Sequence, residues 1–136
     1  MKYIMITGAS SGIGEETARL LARQEDVTTI LVARNEEKLK KLVNEFGGET
    51  KYLVYDLTDV WHIESCFIKC REWGIKLDGL IHCAGIGENM PIRLIQTEHI
   101  KKMYQIHPMA FIELGKYFSK RKYSNDCLLY TSPSPR

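Results

Sequence analysis

The sequence predicts an α/β fold built on a doubly wound parallel sheet. Short apolar runs rich in β-branched residues alternate along the chain with amphipathic helical patterns. The connections between them are short, and β-α-β units of this kind form right-handed crossovers, with parallel strands and helices on both faces. We expect an incomplete sheet of about four strands with a short candidate fifth over residues 126–131.

The overall composition indicates one ordinary globular domain. The chain has 136 residues, of which 44% are hydrophobic, and a net charge of +2. This charge does not indicate nucleic acid as a partner. No apolar run approaches the roughly 20 residues of a membrane span, and no secretory signal precedes the first strand. We therefore expect a cytoplasmic protein without a membrane or nucleic-acid partner.

The first three strands and their helices are predicted within residues 2–73. The predicted strands are 2–7, 27–33 and 50–55, and the predicted helices are 12–23, 36–46 and a third that ends near Trp73. Asn35 is a good N-cap for the second helix, and Thr58 or Asp59 for the third. The residues expected to face the core are Ile13, Thr17, Leu20 and Leu21 in the first helix, Leu39, Leu42, Val43 and Phe46 in the second, and Ile63, Cys66, Phe67 and Cys70 in the third.

The second half of the chain adds a fourth strand within 77–83, a loop over 86–96 and a long helix. We expect Thr97 to cap this helix, which runs to about Lys122 with a kink at Pro108, because proline lacks an N–H donor. Its apolar stripe is predicted to be Ile100, Met103, Tyr104, His107, Phe111, Leu114, Tyr117 and Phe118.

A glycine-rich turn joins the first strand to the first helix. It reads T-G-A-S-S-G-I-G over residues 7–14, with Gly8, Gly12 and Gly14 in a G-x-x-x-G-x-G spacing. Glycine allows a tight turn and a close approach to a ligand, and a helix N-terminus attracts phosphate. A P-loop is excluded because no Gly-Lys-Ser/Thr occurs here. The turn therefore predicts a dinucleotide phosphate site.

The end of the second strand bears on which dinucleotide binds there. Dinucleotide sites carry at this point an acid for the ribose 2′-hydroxyl or an arginine for a 2′-phosphate. Here the strand ends in Ala33-Arg34-Asn35, with no carboxylate at its tip. Arg34 can make a bidentate contact to phosphate, and Ser10 and Ser11 can add hydroxyl donors. NADP(H) is therefore preferred over NAD(H), although Arg34 could instead be a solvated cation near the acids that follow it.

One row of side chains contains residue types that bind metal ions. His62, Cys66 and Cys70 share a helical i, i+4, i+8 row. Ligands spread over two turns of one helix do not converge on a single ion, and both cysteines fall on the apolar stripe. We therefore predict no metal and interpret the cysteines as small buried hydrophobic residues.

Three separated motifs resemble those of the short-chain dehydrogenases/reductases. The glycine turn is similar to their cofactor motif, and Asp56-Leu57 resembles the pair whose acid contacts adenine. The segment His82-Cys83-Ala84-Gly85 resembles their N-N-A-G, with both asparagines replaced. The resemblance covers residues 1–118 and implies a Rossmann-type fold. The residues expected to bind the cofactor are Gly8, Ser10, Ser11, Gly12, Ile13, Gly14, Arg34, Asp56, Leu57, Cys83, Ala84 and Gly85.

The resemblance implies hydride transfer between NADP(H) and a carbonyl or alcohol substrate. Family members use a serine and a Tyr-x-x-x-Lys pair, and no such pair occurs in these 136 residues. Ser132 falls near the position of that serine. His107 matches an asparagine of the family's proton relay, although we expect it to face the sheet as a core histidine. No catalytic residue is therefore assigned beyond these two candidates, and the chain is expected to be inactive alone.

The sequence leaves the role and extent of this chain open. We expect a partial NAD(P)-binding domain over 1–123 and an atypical tail over 124–136, truncated or non-native, because 132–136 contain two prolines. One alternative is a non-catalytic regulatory nucleotide-binding module. Another is a methyltransferase, which Arg34 disfavours because an acid is expected there. The resemblance also implies a homo-oligomer for a full-length relative.

Overall fold

A computed structural model describes residues 1–85, 91–125 and 129–131, with side chains described for the first two ranges. Its strands are β1 Lys2–Thr7, β2 Val27–Ala33, β3 Lys51–Val54, β4 Gly79–His82 and β5 Leu129–Thr131. Its α-helices are α1 Gly12–Ala22, α2 Glu36–Phe46, α3 Glu64–Glu72, α4 Thr97–Tyr104 and α5 Ala110–Phe118. In these ranges, no helix is both long enough and apolar enough to cross a membrane.

All five described strands pair in parallel in one sheet with the order β3-β2-β1-β4-β5. The chain moves outward through β1, β2 and β3, and then returns to the other side of β1 to form β4. A crevice opens beyond the carboxyl ends of the strands where the order reverses in this way, which here is between β1 and β4. The predicted doubly wound α/β fold is confirmed.

Two apolar clusters lie on opposite faces of the sheet. One contains Phe67 of α3 with Leu114 and Phe118 of α5. The other contains Ala18 of α1 and Leu39 of α2. Because parallel sheets need both faces covered, each cluster buries one side of the central strands β1 and β2.

The predicted buried face of α1 is only partly right, because Leu21 packs against the cluster that contains Ala18 but two other predicted residues do not. Ile13 is 67% and Leu20 60% exposed. The buried positions of this helix are Gly14 and Ala18. Gly14 packs directly on the backbone of Gly8, and this contact turns the helix so that its small residues face the sheet.

Helix α3 begins later than predicted, at Glu64 instead of near Thr58. The carboxylate of Asp56 accepts hydrogen bonds from the backbone and hydroxyl of Thr58, and that of Asp59 accepts from Trp61 N–H at 3.2 Å. These local bonds stabilise turns that compete with a helix. The four side chains predicted to face inward, Ile63, Cys66, Phe67 and Cys70, are all buried as expected.

The single long helix predicted from Thr97 is interrupted. Gln96, rather than Thr97, is the N-cap of α4, and a π-helical segment, Gln105–Met109, separates α4 from α5. Pro108 lies inside that segment and has no N–H for an intrahelical bond. The Ala110 N–H reaches the carbonyl of Gln105, five residues earlier. The irregularity expected at Pro108 is therefore a π-bulge, which adds a residue to one turn.

Because of this bulge, the apolar stripe predicted for the long helix is partly wrong. The first half of that stripe is exposed, including His107 and Ile100, Met103 and Tyr104, which are 46%, 42% and 60% exposed. The buried row is instead Ile106, Ala110, Leu114 and Phe118. Of these four, only Leu114 and Phe118 were predicted. The prediction assumed a constant helical period, which leaves out the residue that the π-bulge adds to one turn.

His82 joins the ends of β1 and β4 to the π-bulge. Its Nδ1 lies 2.7 Å from Thr7 Oγ1, and its Nε2 lies 3.1 Å from the carbonyl oxygen of Ile106. Thr7 Oγ1 also accepts the backbone N–H groups of Cys83 at 3.1 Å and Ala84 at 3.2 Å. With both lone pairs occupied, the Thr7 hydroxyl donates to Nδ1, so the His82 proton is on Nε2 and is donated to Ile106.

His82 is buried, and this burial keeps its ring neutral. Desolvation lowers the pKa of His82 below its ordinary value of 6.5, and the nearby His107 lowers it further, against the hydrogen bond to Ile106. A protonated ring would carry a hydrogen on Nδ1 and could no longer accept from Thr7.

The tail contributes one strand to the sheet. β5 lies within the candidate strand 126–131 and pairs with β4 through Leu80, Ile81 and His82. Residues 132–136, including the candidate Ser132, lie outside the described residues. The domain boundary at 123 stays a prediction.

The buried row of α5 can be tested by two truncations on the same helix. We expect Leu114→Ala, at a side chain 1% exposed, to lower the free energy of unfolding by about 2–5 kcal/mol. Ile112→Ala, at a side chain 64% exposed, should change it by less than about 0.5 kcal/mol. Denaturant unfolding measures both, and equal losses would contradict the buried row assigned to α5.

His82 also predicts a pH dependence of stability. Because its folded pKa lies below the unfolded value of 6.5, the unfolded chain binds a proton that the folded chain excludes. The contribution of His82 to the free energy of unfolding is therefore fully present above that value and is lost as the pH decreases toward the folded pKa. His82→Asn should lose this contribution, so its unfolding free energy should fall less than that of the wild type between about pH 7.5 and 5.5. Parallel pH profiles would refute the assignment.

Candidate functional site

A cleft lies at the carboxyl edge of the sheet, where β1, β2 and β4 end. Its lining residues are Gly8, Ser10, Ser11, Gly12, Ile13, Val32, Ala33, Arg34, Tyr55, Leu57, Cys83, Ala84, Gly85 and Ile106. These residues come from the glycine turn, the ends of β2 and β4, the segment after β3 and the π-bulge. The cleft therefore coincides with the crevice expected from the strand order.

The glycine turn forms one wall of this cleft. Gly8 has a φ of +66°, and a Cβ there would lie 2.6 Å from the backbone nitrogen of Ala84. A Cβ on Gly14 would collide with the carbonyl oxygen of Gly8. Gly12 has a φ of +54° with open space around it. Two of the glycines are therefore required by close packing, and Gly12 by its backbone conformation.

The start of α1 opens into the same space. Ser11 is its N-cap, with an extended backbone, and its side chain makes no capping hydrogen bond. The first N–H groups of a helix have no intrahelical acceptor, and the helix dipole adds a partial positive charge. An anionic group in the cleft would meet these donors together with the hydroxyls of Ser10 and Ser11.

Arg34 lines the cleft immediately after β2 and is exposed. No ion pair between Arg34 and Glu36 or Glu37 is found in the described ranges. Glu36 instead accepts from the Tyr52 hydroxyl at 3.1 Å and lies 3.6 Å from Lys40 Nζ. The guanidinium is thus available to a ligand at this end of the cleft.

The two residues of the pair Asp56-Leu57 occupy different positions relative to the cleft. Leu57 lines the cleft and is 4% exposed, whereas Asp56 is not among the lining residues. Burial opposes ionisation of Asp56, but hydrogen bonds from Thr58 and the charges of Arg34 and Lys102 outweigh it and lower the pKa of this carboxyl. Asp56 is therefore an anion held next to two cations.

The segment after β4 forms the opposite wall. Thr7 fixes the N–H groups of Cys83 and Ala84, so the backbone here lies against the glycine turn. Burial raises the pKa of the Cys83 thiol, so this side chain stays protonated at neutral pH. A Cβ on Gly85 would collide with the ring of His107.

This contact corrects the expectation that His107 faces the sheet. The ring is exposed and lies over Gly85 at the edge of the cleft. The buried histidine is His82, at the end of β4, whose Nε2 lies 3.1 Å from the carbonyl oxygen of Ile106.

Most of the predicted cofactor-binding residues come together in this cleft. All of them line it except Gly14, which packs beneath the turn, and Asp56. Sequence reasoning missed four lining residues, which are Val32, Ala33, Tyr55 and Ile106. Val32, Ala33 and Tyr55 lie at or just beyond strand ends, which is a usable signal. Ile106 depends on the bulge and has no such signal.

The row considered as a metal site does not converge. His62 Nδ1 lies 2.9 Å from the carboxylate of Asp59, on the surface. Burial raises the pKa of the Cys66 and Cys70 thiols to about 12. Within residues 1–85, 91–125 and 129–131, no three His, Cys, Asp or Glu side chains form a ligand cluster.

Comparisons with known proteins agree with this geometry. A family model described as short chain dehydrogenase matches residues 2–123. An uncharacterized oxidoreductase of Listeria innocua is 36% identical over 78% of this chain and 44% of its own length. A benzil reductase ((S)-benzoin forming) of Saccharomyces cerevisiae is 35% identical over 83% of this chain and 44% of its own.

Among solved structures, an alcohol dehydrogenase of the archaeon Thermococcus sibiricus, complexed with 5-hydroxy-NADP, superposes with a TM-score of 0.75 at 30% identity. The match covers 87% of this chain and 52% of that one. This chain thus spans about half the length of the relatives it matches. The family match nevertheless includes the glycine turn, the strand ends and the π-bulge that build the cleft. The chain therefore belongs to the short-chain dehydrogenase/reductase family.

Proposed function

We propose that this chain is the cofactor-binding part of an oxidoreductase that transfers hydride between NADP(H) and a carbonyl or alcohol substrate. One observation carries the proposal. The glycine turn, Arg34 and the segment after β4 line a single cleft at the switch point of the sheet. That is where open α/β sheets bind dinucleotides.

The glycine turn is suited to the pyrophosphate. A Cβ on Gly8 would collide with the backbone of Ala84, so two backbone walls approach each other closely at the turn. The N-terminus of α1 supplies N–H donors and a favourable dipole for the two negative charges. No lysine lies in this turn, so backbone groups would provide most of the contacts.

Arg34 favours NADP(H) over NAD(H). A carboxylate at the tip of β2 would repel a 2′-phosphate, and none is present. Arg34 lines the cleft there and can donate two parallel N–H bonds to a phosphate. The 5-hydroxy-NADP complex of the archaeal alcohol dehydrogenase supports the same preference.

Catalysis would require an acid/base pair that these 136 residues do not contain. None of the seven tyrosines is followed by lysine at the fourth position, so the family's acid/base pair does not occur in these 136 residues. His107, beside Gly85 at the cleft edge, remains a candidate for a proton relay. When bound, the nicotinamide would supply the hydride chemistry, and this chain would bind and orient it.

A second candidate function is a non-catalytic nucleotide-binding module that uses the same cleft. The coding sequence after the codon for Arg136 separates the two. A downstream Tyr-x-x-x-Lys supports the oxidoreductase, and a native stop codon supports the module.

Arg34→Ala tests the cofactor preference. We expect it to weaken NADPH binding about tenfold, because a charge-assisted bidentate contact is lost, and to change NADH binding less than about twofold. Calorimetric titration of both cofactors measures the two losses. Arg23→Ala is the matched control, since Arg23 is exposed at the other end of α1. Equal losses for NADPH and NADH would remove Arg34 from the 2′-phosphate.

A second test concerns turnover. The purified 136-residue chain should bind NADPH without oxidising it in the presence of aldehydes or ketones, because it lacks the acid/base pair. Absorbance of NADPH at saturating cofactor measures the rate. Turnover above the rate without protein would show that other residues of this chain can transfer the proton.

A further inference from the structure

Lys102 lies on α4, one helical turn before the part of the chain that lines the cleft. Ile106 lines the cleft and is buried, and it follows Lys102 by four residues. The Gln105 N–H bonds to the carbonyls of Lys101 and Lys102, so the helix is continuous between these positions. Residues four apart share a helix face. Lys102 therefore lies one turn before a residue that lines the cleft, and its side chain is exposed.

The charge of Lys102 acts at the same place as that of Arg34. Both cations lower the pKa of Asp56. Asp56 precedes Leu57, which lines the cleft. Since Arg34 follows β2 and Lys102 belongs to α4, the two cations reach one end of the cleft from different elements.

The acid between these cations is already engaged by its neighbours. Asp56 Oδ1 accepts from Thr58 N–H at 3.0 Å and from the Thr58 hydroxyl at 2.8 Å. No salt bridge of Lys102 with an acid is found in the described ranges. Two cations beside one carboxylate leave a net positive charge at this end of the cleft, which is suited to a ligand with a second anionic group.

We propose that Lys102 is a specificity-determining residue that acts with Arg34 on the 2′-phosphate of NADP(H), as a second cation at the adenosine end of the cleft. This inference rests on the proposed function and adds a residue to it. A 2′-phosphate carries more than one negative charge near neutral pH, so one arginine does not neutralise it. Lysine contributes a flexible point charge, without the fixed geometry of Arg34.

The test compares two neighbouring lysines and two adenosine ligands. Lys102→Gln removes the proposed charge, and Lys101→Gln removes an adjacent exposed charge that points about 100° away around α4. The ligands are adenosine 2′,5′-bisphosphate and AMP, which differ only by the 2′-phosphate. Calorimetric titration of the 136-residue chain at low and high salt gives each dissociation constant, with NADPH and NADH as the full-length pair.

We expect Lys102→Gln to weaken the bisphosphate and NADPH about three- to tenfold, AMP and NADH less than about twofold, and the loss to shrink at high salt. Lys101→Gln should change each constant less than about twofold. Equal losses for AMP and the bisphosphate, or equal effects of the two lysines, would overturn the role of Lys102. If Arg34 still discriminates NADPH, the proposed function survives that result. Absence of NADPH binding by the wild type would overturn both.

Discussion

The hydroxyl group of Thr7 is the contact on which the site depends. This one oxygen accepts the N–H groups of Cys83 and Ala84 and donates to His82. It therefore fixes the end of β1 to the end of β4 at the point where the strand order reverses. With the backbone of Ala84 held there, the glycine turn has room for no side chain at Gly8. The two walls of the cleft are thus a single bonded unit.

The π-bulge extends this unit to the helical layer. His82 donates to the carbonyl of Ile106, and Ile106 is one of the residues that line the cleft. Pro108 lacks an N–H, which favours a widened turn at this point. The same widening places Ile106 and Ala110 in the buried row ahead of Leu114 and Phe118 and leaves His107 over Gly85 at the cleft edge. One local interruption of the helix thus sets both a packing register and the position of a polar ring.

The electrostatics of the cleft follow from which charges are brought near it. The start of α1 offers N–H donors at the glycine turn. Arg34 lines the cleft after β2, and its charge and that of Lys102 both lower the pKa of the Asp56 carboxyl. A ligand with negative groups at both ends would therefore fit this distribution better than a singly charged one. Neutral His82 and the protonated thiol of Cys83 add no charge to the floor of the cleft.

The sequence by itself determined the fold class, the bounds of β1 and β2, the Asn35 cap and nearly all of the glycine-turn site. These features depend on local periodicity, turn chemistry and motif spacing, which neighbouring residues decide. Only the tertiary structure decided which face of α1 is buried, where α3 begins, and that His82 rather than His107 enters the core. The burial of His82 accompanies a contact with Ile106, which is distant in the chain, and the buried face of α1 follows from the packing of Gly14 on Gly8. Helix α3 begins late because hydrogen bonds to Asp56 and Asp59 stabilise turns in place of a first helical turn. The sequence could not link Lys102 to Asp56, because the two residues are distant in the chain and only the tertiary fold brings the Lys102 charge within range of that carboxyl.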